Sequence, residues 1–316
     1  RWTEAESKAF RSMTSDMAAS LINELTVGDV ERGPAWIDDS TILVTSNVDK
    51  AILTASTARR FAMRHNQYLF RWKRPLRREL PSEVLRLVYD EDADPELFGY
   101  FVAGTPARVL DNTNGNVGWG VANGSSCKYH SLAWGDEDER RQVEELIQRA
   151  RQIKEDVVDR PFPPDFIIVE LLDSALPANK WPPTSNLEET WETSPNGARI
   201  RKTNVLIPIG IMKSLNGNRG VLDTPTSVTY TQHAVDLVFV VIVWKAQGCT
   251  LNRPSRPHAP KWGFDHLYVG LSRVTPVAQL RCFPLSGAVY KSSLFRLRPN
   301  IHTTKWRLEN QNATVK

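Results

Sequence analysis

One long apolar run, AVDLVFVVIV at Ala234–Val243, constrains the fold of this chain more than any other segment. It is apolar on both faces, which is typical of a central parallel strand covered by helices. The run leads directly into a Lys-x-Gln-Gly turn, in which Gly248 lets the backbone approach a ligand closely. Ligands bind at the carboxyl ends of strands in open α/β sheets, so Lys245 and Gln247 are candidate site residues. The alternative is an ordinary surface turn between a strand and a helix.

The N-terminal part of the chain predicts the same α/β class. Residues Ser40–Ser46 are β-branched or apolar and predict a strand. Asn47 or Asp49 can cap the helix that is predicted to follow, from Ala51 to about Asn66. A strand, a turn and a helix in this order form the building block of a parallel sheet. Apolar residues at helical spacing also predict a helix within Arg1–Val30.

The middle of the chain predicts a β-rich region with one helix. Its Gly- and Asn-rich turns indicate short antiparallel strands, and a Glu- and Arg-rich stretch indicates a solvated amphipathic helix. The predicted segments are turns and strands within Asp111–Trp134, a helix over Asp136–Val158, a strand over Asp165–Leu172, a loop over Ala175–Gly197 and a strand over Val205–Ile211. Pro208 inside the last strand predicts an edge position or a bulge.

The composition fits an ordinary folded protein. Apolar residues make up 41% of the chain and charged residues 24%, which argues against a disordered chain. No apolar stretch approaches the ~18 to 20 residues that a membrane helix needs, so we expect no membrane partner. Cys127, Cys249 and Cys282 match no zinc or disulfide spacing, which predicts no metal site and a reducing, intracellular compartment. The polar segment Arg1–Asp16 has no signal peptide, and the chain starts without Met, as a fragment would.

Positive charge is concentrated in one segment, Arg59–Arg78, which contains no acidic residue although the net charge of the chain is only +4. Its basic side chains are Arg59, Arg60, Arg64, Arg71, Lys73, Arg74, Arg77 and Arg78, with Tyr68, Phe70 and Trp72 among them. Basic groups neutralise phosphates and aromatic rings stack on unpaired bases, so Arg71, Trp72, Lys73 and Arg74 are candidate contacts for single-stranded DNA. The alternative is a solvated helix face followed by a basic loop.

A second candidate functional segment is HLYVGLSRVTPVAQL, residues His266–Leu280. We predict a short strand and helix within His266–Val274, with Arg273 exposed at a domain edge after Ser272. An arginine in that setting can reach across a cleft and stabilise the charge on a transferring γ-phosphoryl group. The alternative is an ordinary surface arginine.

Together and in this order, the two segments resemble motifs V and VI of superfamily 1B DNA helicases, particularly the Pif-type and Helitron-transposon helicases. Those families have an apolar strand, then His-Lys-x-Gln-Gly-x-Thr, and later Tyr-Val-Ala-Leu-Ser-Arg-Val. The matching positions here are Lys245, Gln247, Gly248 and Thr250, followed by Tyr268, Val269, Leu271, Ser272, Arg273 and Val274. Upstream, Asn47 matches an asparagine that follows the motif IV strand. Asn123-Gly124 is similar to the pair that opens a small SH3-like insertion.

The resemblance implies a RecA-like parallel sheet with helices on both faces, plus a small, mostly-β, SH3-like insertion. Arg273 would be the arginine finger, and with Ser272 it would sense ATP. Gln247 and Gly248 would line the nucleotide cleft, while Lys245, Thr250 and Asn47 would contact single-stranded DNA. ATP and Mg²⁺ would be bound mainly by an N-terminal RecA-like domain of the same protein. The implied activity is that of an ATP-dependent DNA helicase moving 5′ to 3′.

The chain departs from this pattern in two ways. No G-x-x-x-x-G-K-S/T loop occurs in it, so we expect the N-terminal motor domain to lie outside this chain, which alone would be inactive. In motif V, Trp244 replaces the usual histidine and Ile242 stands where a threonine is common. These changes leave a second function open, namely a catalytically inactive, transposon-derived module that binds nucleic acid.

The expected organisation has five parts. These are a helical lead-in at 1–36, the first part of the RecA-like domain at 37–110, the β-rich insertion at 111–230, the second part of the RecA-like domain at 231–290 and a tail at 291–316. We expect a nuclear protein, with mitochondrial residence as the alternative. Its role in DNA repair, recombination, telomere maintenance or transposition stays open.

Overall fold

The computed structural model describes most of the chain between residues 40 and 282. The described residues are 40–91, 94–112, 121–133, 135–171, 187–193, 199–211, 217–220, 227–247, 251, 254–256, 264–273, 281–282, 301 and 305. The predicted helix within Arg1–Val30 lies outside these residues, as do the predicted site residues Gly248 and Thr250.

The described residues form four α-helices and fifteen strands. The helices are α1, Asn47–Arg64; α2, Ser82–Val88; α3, Glu137–Ile153; and α4, Phe264–Leu271. The strands are β1, Thr41–Val44; β2, Leu69–Lys73; β3, Phe98–Phe101; β4, Pro106–Val109; β5, Ser126–Ala133; β6, Val157–Arg160; β7, Phe166–Leu171; β8, Leu187–Thr193; β9, Arg199–Gly210; β10, Gly217–Gly220; β11, Ser227–Tyr230; β12, Val235–Leu237; β13, Val240–Ile242; β14, Pro254–Arg256; and β15, Arg281–Cys282. None of the described helices combines the length and the apolar character that crossing a membrane requires.

The chain divides into two compact units. The parallel-sheet unit contains residues 1–53 and 239–316, and the β-rich unit contains residues 54–238. The β-rich unit is therefore one continuous segment inserted between the two parts of the parallel-sheet unit. The division reflects packing, and the five-part domain organisation expected from the sequence stays a prediction.

The parallel-sheet unit is built on a sheet with the strand order β13-β1-β14-β15, in which every neighbouring pair is parallel. Ile42, Leu43 and Val44 of β1 are buried, as expected for a strand in the interior of a parallel sheet. The predicted strand within Ser40–Ser46 and the mixed α/β fold with a parallel sheet are confirmed.

The start of α1 differs from the prediction in its capping residue. The hydroxyl of Ser46 accepts a hydrogen bond of 3.1 Å from the backbone N–H of Asp49, which is the usual N-cap contact with the third helical residue. Asn47 is the first residue of the helix. The prediction that Asn47 or Asp49 caps the helix was therefore wrong.

The apolar run at 234–243 forms two short strands in two different sheets. Val238 N donates to Pro106 O at 3.1 Å in the β-rich unit, whereas Phe239 O accepts from Ile42 N at 2.7 Å in the parallel-sheet unit. The run thus changes partners between these two residues, with β12 before them and β13 after them. The prediction of one central strand was wrong, and β13 lies at the outer end of the described sheet.

The β-rich unit contains a sheet of order β12-β4-β5-β7-β9-β8, in which every neighbouring pair is antiparallel. Alternate residues of β7 and β9 are buried, namely Ile167, Val169, Ile207 and Ile209, and the register pairs Ile167 with Ile209. Burial of each such side chain contributes about 1.5 to 3 kcal/mol. A second sheet has the order β3-β2-β6, and β10 and β11 form an antiparallel pair.

Two predictions for the β-rich unit need correction around β9. Residues 187–193 form strand β8 and not the predicted loop, because they pair with β9 over seven residues. Strand β9 therefore lies between two neighbours and is not an edge strand. However, its register with β8 ends at Val205, so at Pro208 the strand pairs only with β7 among the described strands. That one-sided pairing tolerates a residue without an N–H.

Helix α3 begins as expected and ends before the predicted Val158. The Asp136 carboxylate accepts from the backbone N–H of Glu139 at 2.8 Å, which caps the helix. The helix ends at Ile153, followed by Lys154 in the left-handed conformation. Val157 and Val158 instead pair in parallel with β2, so that tertiary pairing overrides the helical pattern.

Candidate functional site

The candidate site lies at the carboxyl ends of two neighbouring parallel strands. Val44 ends β1 and Ile242 ends β13, and these residues are partners in the register. Because the strands are parallel, the segments that follow them leave the same edge of the sheet. One of these segments contains Asn47, which is exposed, and the other is a 3₁₀ turn over Val243–Ala246.

The turn over Val243–Gln247, here called the motif V turn after the sequence pattern that it resembles, has a buried side and an exposed side. Val243 and Ala246 are fully buried and anchor it. Trp244, Lys245 and Gln247 are exposed. The sequence predicted that Lys245 and Gln247 follow the carboxyl end of a strand, and the structure places both there with exposed side chains. Their roles stay predictions.

Arg273 follows directly after helix α4 in the same unit. The predicted strand within His266–Val274 was wrong, because residues 264–271 form this helix with Val269 and Gly270 buried. Arg273 is half-buried, and its Nε and Nη2 donate to the Ser272 hydroxyl at 3.2 and 2.8 Å. The Ser272 hydroxyl in turn donates to Val269 O at 3.1 Å. A neutral hydroxyl therefore holds the guanidinium, and none of the described carboxylates forms a salt bridge with it.

The structure brings the motif V turn and the Arg273 segment together. The rings of Trp244 and His266 lie 4.6 Å apart, centroid to centroid, with a tilt of 50°. In addition, Leu251 N donates to Arg273 O at 2.9 Å. The sequence did not identify His266 as a site residue, and no spacing signal links it to Trp244, since the contact depends on how α4 packs.

The basic residues at 71–74 lie elsewhere, on strand β2 of the β-rich unit. Arg71 makes two hydrogen bonds of 2.6 Å to Asp159 and also pairs with Glu91, which in turn pairs with Arg59. The hydrogen bonds to Asp159, together with the charges of Glu91 and Asp159, raise the pKa of the Arg71 guanidinium above its ordinary value despite its burial. The carboxylates that neutralise Arg71 come from segments outside the basic stretch, so the sequence pattern did not reveal them.

The other three residues of the predicted contact surface also have internal partners. Trp72 is only 4% exposed, so its ring is not accessible to an unpaired base in this structure. The Arg74 side chain donates to Phe98 O at 3.0 Å and to Gln232 Oε1. Lys73 is exposed, with its ammonium 5.1 Å from the centre of the Tyr89 ring.

The alternative, a solvated helix face followed by a basic loop, holds in part. Arg59 and Arg64 are exposed on α1 and Arg77 and Arg78 are exposed after β2, whereas residues 69–73 form β2. The contacts with single-stranded DNA stay a prediction.

The described residues contain no group of three His, Cys, Asp or Glu side chains that could hold a metal ion. The Arg273 guanidinium is a charged hydrogen-bond donor of the kind that binds phosphate groups.

No protein-family profile matches the chain, and no curated protein matches it. Solved structures do. The chain is similar to Bacteroides Pif1 bound to ssDNA, with a TM-score of 0.48, 13% identity, and 95% of this chain and 51% of that chain covered. For Bacteroides Pif1 helicase in complex with ADP-AlF3 and ssDNA, the TM-score is 0.47, identity is 13%, and coverage is 96% and 51%. For Pif1 helicase from Candida albicans the values are 0.44, 15%, 96% and 56%. The chain thus spans about half the length of these structures.

Proposed function

We propose that this chain is the C-terminal, RecA-like half of an ATP-dependent DNA helicase. The observation that carries the proposal is a pair of contacts in the parallel-sheet unit: Trp244 of the motif V turn meets His266 of α4, and Leu251, a few residues after the turn, donates to Arg273 O. In a two-domain motor, ATP closes the cleft between the domains and its hydrolysis reopens it. The partner domain, which would bind most of the ATP and the Mg²⁺, is proposed to belong to the same longer protein.

Arg273 is the proposed arginine finger. Its guanidinium is held by the hydroxyl of Ser272, a neutral acceptor, at 2.8 and 3.2 Å. Hydrogen bonds from a guanidinium to a charged phosphate are roughly twice as strong as those to a neutral group. A γ-phosphate can therefore displace the hydroxyl, and the bond from Ser272 to Val269 O keeps the serine side chain in place.

The remaining roles follow the family pattern. Gln247, with Gly248, would border the nucleotide, and Lys245, Thr250 and Asn47 would contact single-stranded DNA. The exposure of Lys245, Gln247 and Asn47 supports these roles. Movement in the 5′-to-3′ direction and action in the nucleus are part of the proposal and follow from the family resemblance.

The test is ATP hydrolysis by the full-length protein with and without single-stranded DNA. Hydrolysis should depend on DNA, and Arg273→Ala should lower the DNA-stimulated rate roughly 10³-fold or more, because an arginine finger contributes about 10³ to 10⁵ in rate. Arg141→Ala is the matched control, since Arg141 is an exposed arginine of α3 that pairs locally with Asp138. An unchanged rate of ATP hydrolysis in Arg273→Ala would show that Arg273 is not the arginine finger.

A second candidate function is favoured by Trp244, which occupies the position of the family's histidine and packs against His266. A polar group expected at the motor's cleft is thereby replaced by an indole. The candidate is a module that binds nucleic acid without hydrolysing ATP. Binding of single-stranded DNA by the full-length protein, combined with absence of ATP hydrolysis under all conditions, would favour it over the motor.

A further inference from the structure

The motif V turn holds an exposed tryptophan in a fixed place. Val243 and Ala246 on its inner side are fully buried, and the turn continues directly from β13. Trp244 itself is 46% exposed, and the contact that the structure gives its ring is with His266. The position of the indole is therefore set by its neighbours, while much of its apolar area stays in water.

The exposed indole of Trp244 indicates a surface that binds a partner. Trp side chains carry a large apolar area and favour interfaces where one part is buried and another is wet. Removal of apolar surface from water is favourable, so a flat partner that covers the indole would gain free energy without having to order it first. The groups around the indole indicate the chemistry of that partner.

The charges beside Trp244 indicate an anionic partner. Lys245 is exposed, and within the described residues no carboxylate forms a salt bridge with it. Residues 239–247 contain no acidic side chain, and α4 contains one, Asp265, next to His266. Single-stranded DNA combines flat rings with one phosphate per nucleotide, which matches an exposed indole beside an ammonium group. In a duplex the base faces are stacked on one another and are not accessible.

We infer that Trp244 stacks on an unpaired base of single-stranded DNA and that Lys245 neutralises a neighbouring phosphate. The inference rests on the proposed function, because it assigns a contact within the motif V turn of that motor. Every base has a π face, so this contact tolerates any sequence.

The first experiment measures the affinity of the 316-residue chain for a fluorescent oligo-dT, without ATP, by anisotropy. Trp244→Ala should weaken binding about 5-fold to 150-fold, the range that loss of one base–aromatic stack gives. Trp244→Phe keeps a stacking ring and should retain most of the affinity. Phe162→Ala is the matched control, because Phe162 is an aromatic residue of the β-rich unit that is 71% exposed, and its loss should leave the affinity unchanged.

A second experiment separates stacking from charge. For the wild-type chain, an oligonucleotide with abasic sites should bind more weakly than oligo-dT by a factor similar to the Trp244→Ala effect, and Trp244→Ala should add no further loss on abasic DNA. Lys245→Gln should instead reduce the slope of log affinity against log salt concentration by about 0.7, the value for one phosphate contact on a single strand. Trp244→Ala should leave this slope unchanged.

Three results would overturn the inference. These are no binding of oligo-dT by the wild-type chain, wild-type affinity in Trp244→Ala, or an equal loss on abasic DNA, which would indicate a protein-facing or structural tryptophan. Weaker binding of abasic DNA than of oligo-dT is measured on the wild-type chain and does not depend on the folding of a variant, and equal binding of the two by that chain would also overturn the inference. The proposed motor is tested separately by ATP hydrolysis. If hydrolysis required Arg273 but not Trp244, the proposed motor would be supported and the stacking contact would not.

Discussion

The dipeptide Trp-Lys occurs both in strand β2, as Trp72-Lys73, and in the motif V turn, as Trp244-Lys245. The two tryptophans have opposite surroundings, because Trp72 is 4% exposed and Trp244 is 46% exposed. In β2 the indole covers Gly99 on the neighbouring strand, where an added Cβ would come within 2.3 Å of the ring. In the turn, the indole projects from an anchored backbone. The same side chain, an indole, therefore belongs to the core in one unit and to the surface in the other, while the neighbouring lysine is exposed in both.

The largest difference is expected from truncation of the two tryptophans. Trp72→Ala should lower the free energy of unfolding by about 3 to 5 kcal/mol, because it empties a packed site beside Gly99 and His233. Trp244→Ala should cost about 1 kcal/mol or less, since much of its ring is already in water. Urea unfolding followed by circular dichroism measures both. Similar losses in the two variants would contradict the comparison.

A smaller effect, and one that depends on pH, is expected at His233, whose ring meets that of Trp72 edge to face at 5.7 Å. Burial, together with the charges of Arg74 and Arg160, lowers the pKa of His233 from 6.5 to about 4, although its hydrogen bond to Pro164 O opposes this. Between these values the unfolded chain takes up a proton at His233 that the folded protein does not. Stability should therefore fall by about 3 kcal/mol in total as the pH falls from about 6.5 to about 4.

The measurement is urea unfolding at several pH values for the wild-type chain and for His233→Asn. The variant should be less stable near pH 7, because its packing against Trp72 is poorer. Its stability should nevertheless change less between pH 6.5 and 4, because the proton-linked part is absent. An identical pH dependence in the two proteins would show that His233 does not contribute to acid sensitivity.

The smallest effects, and the sharpest contrast, are expected for one cation from each region. Arg71→Ala removes the hydrogen bonds to Asp159 and the pair with Glu91, so it should cost about 2 kcal/mol of stability. Lys245→Ala should change stability by about 0.5 kcal/mol or less. Conversely, Lys245→Ala should weaken oligo-dT binding, whereas Arg71→Ala should not. Weaker DNA binding by a folded Arg71→Ala protein would indicate that Arg71 contacts single-stranded DNA, as the sequence predicted.

These contrasts also explain what the sequence could and could not predict. Strand β1 and the exposed positions of Lys245 and Gln247 follow from local patterns, namely a short apolar run and a polar turn after a strand. The neutralisation of Arg71 depends on Glu91 and Asp159, which lie far along the chain, so composition within the basic stretch gave no warning of it. The 234–243 run is divided into two strands because Val238 and Phe239 form backbone hydrogen bonds with different segments. Hydropathy does not predict which segments these are.

The order of the units along the chain has a consequence for how the protein is made. The described partners of β1 in the sheet are β13 and β14, and both follow the whole β-rich unit in the sequence. A strand with three buried residues is therefore synthesised before either neighbour and cannot pair with β13 until the ribosome has passed Val240. The β-rich unit, a continuous segment, can fold in that interval. Closure of the parallel sheet joins strands that are far apart in the sequence, so we expect it to be a late and slow event in folding.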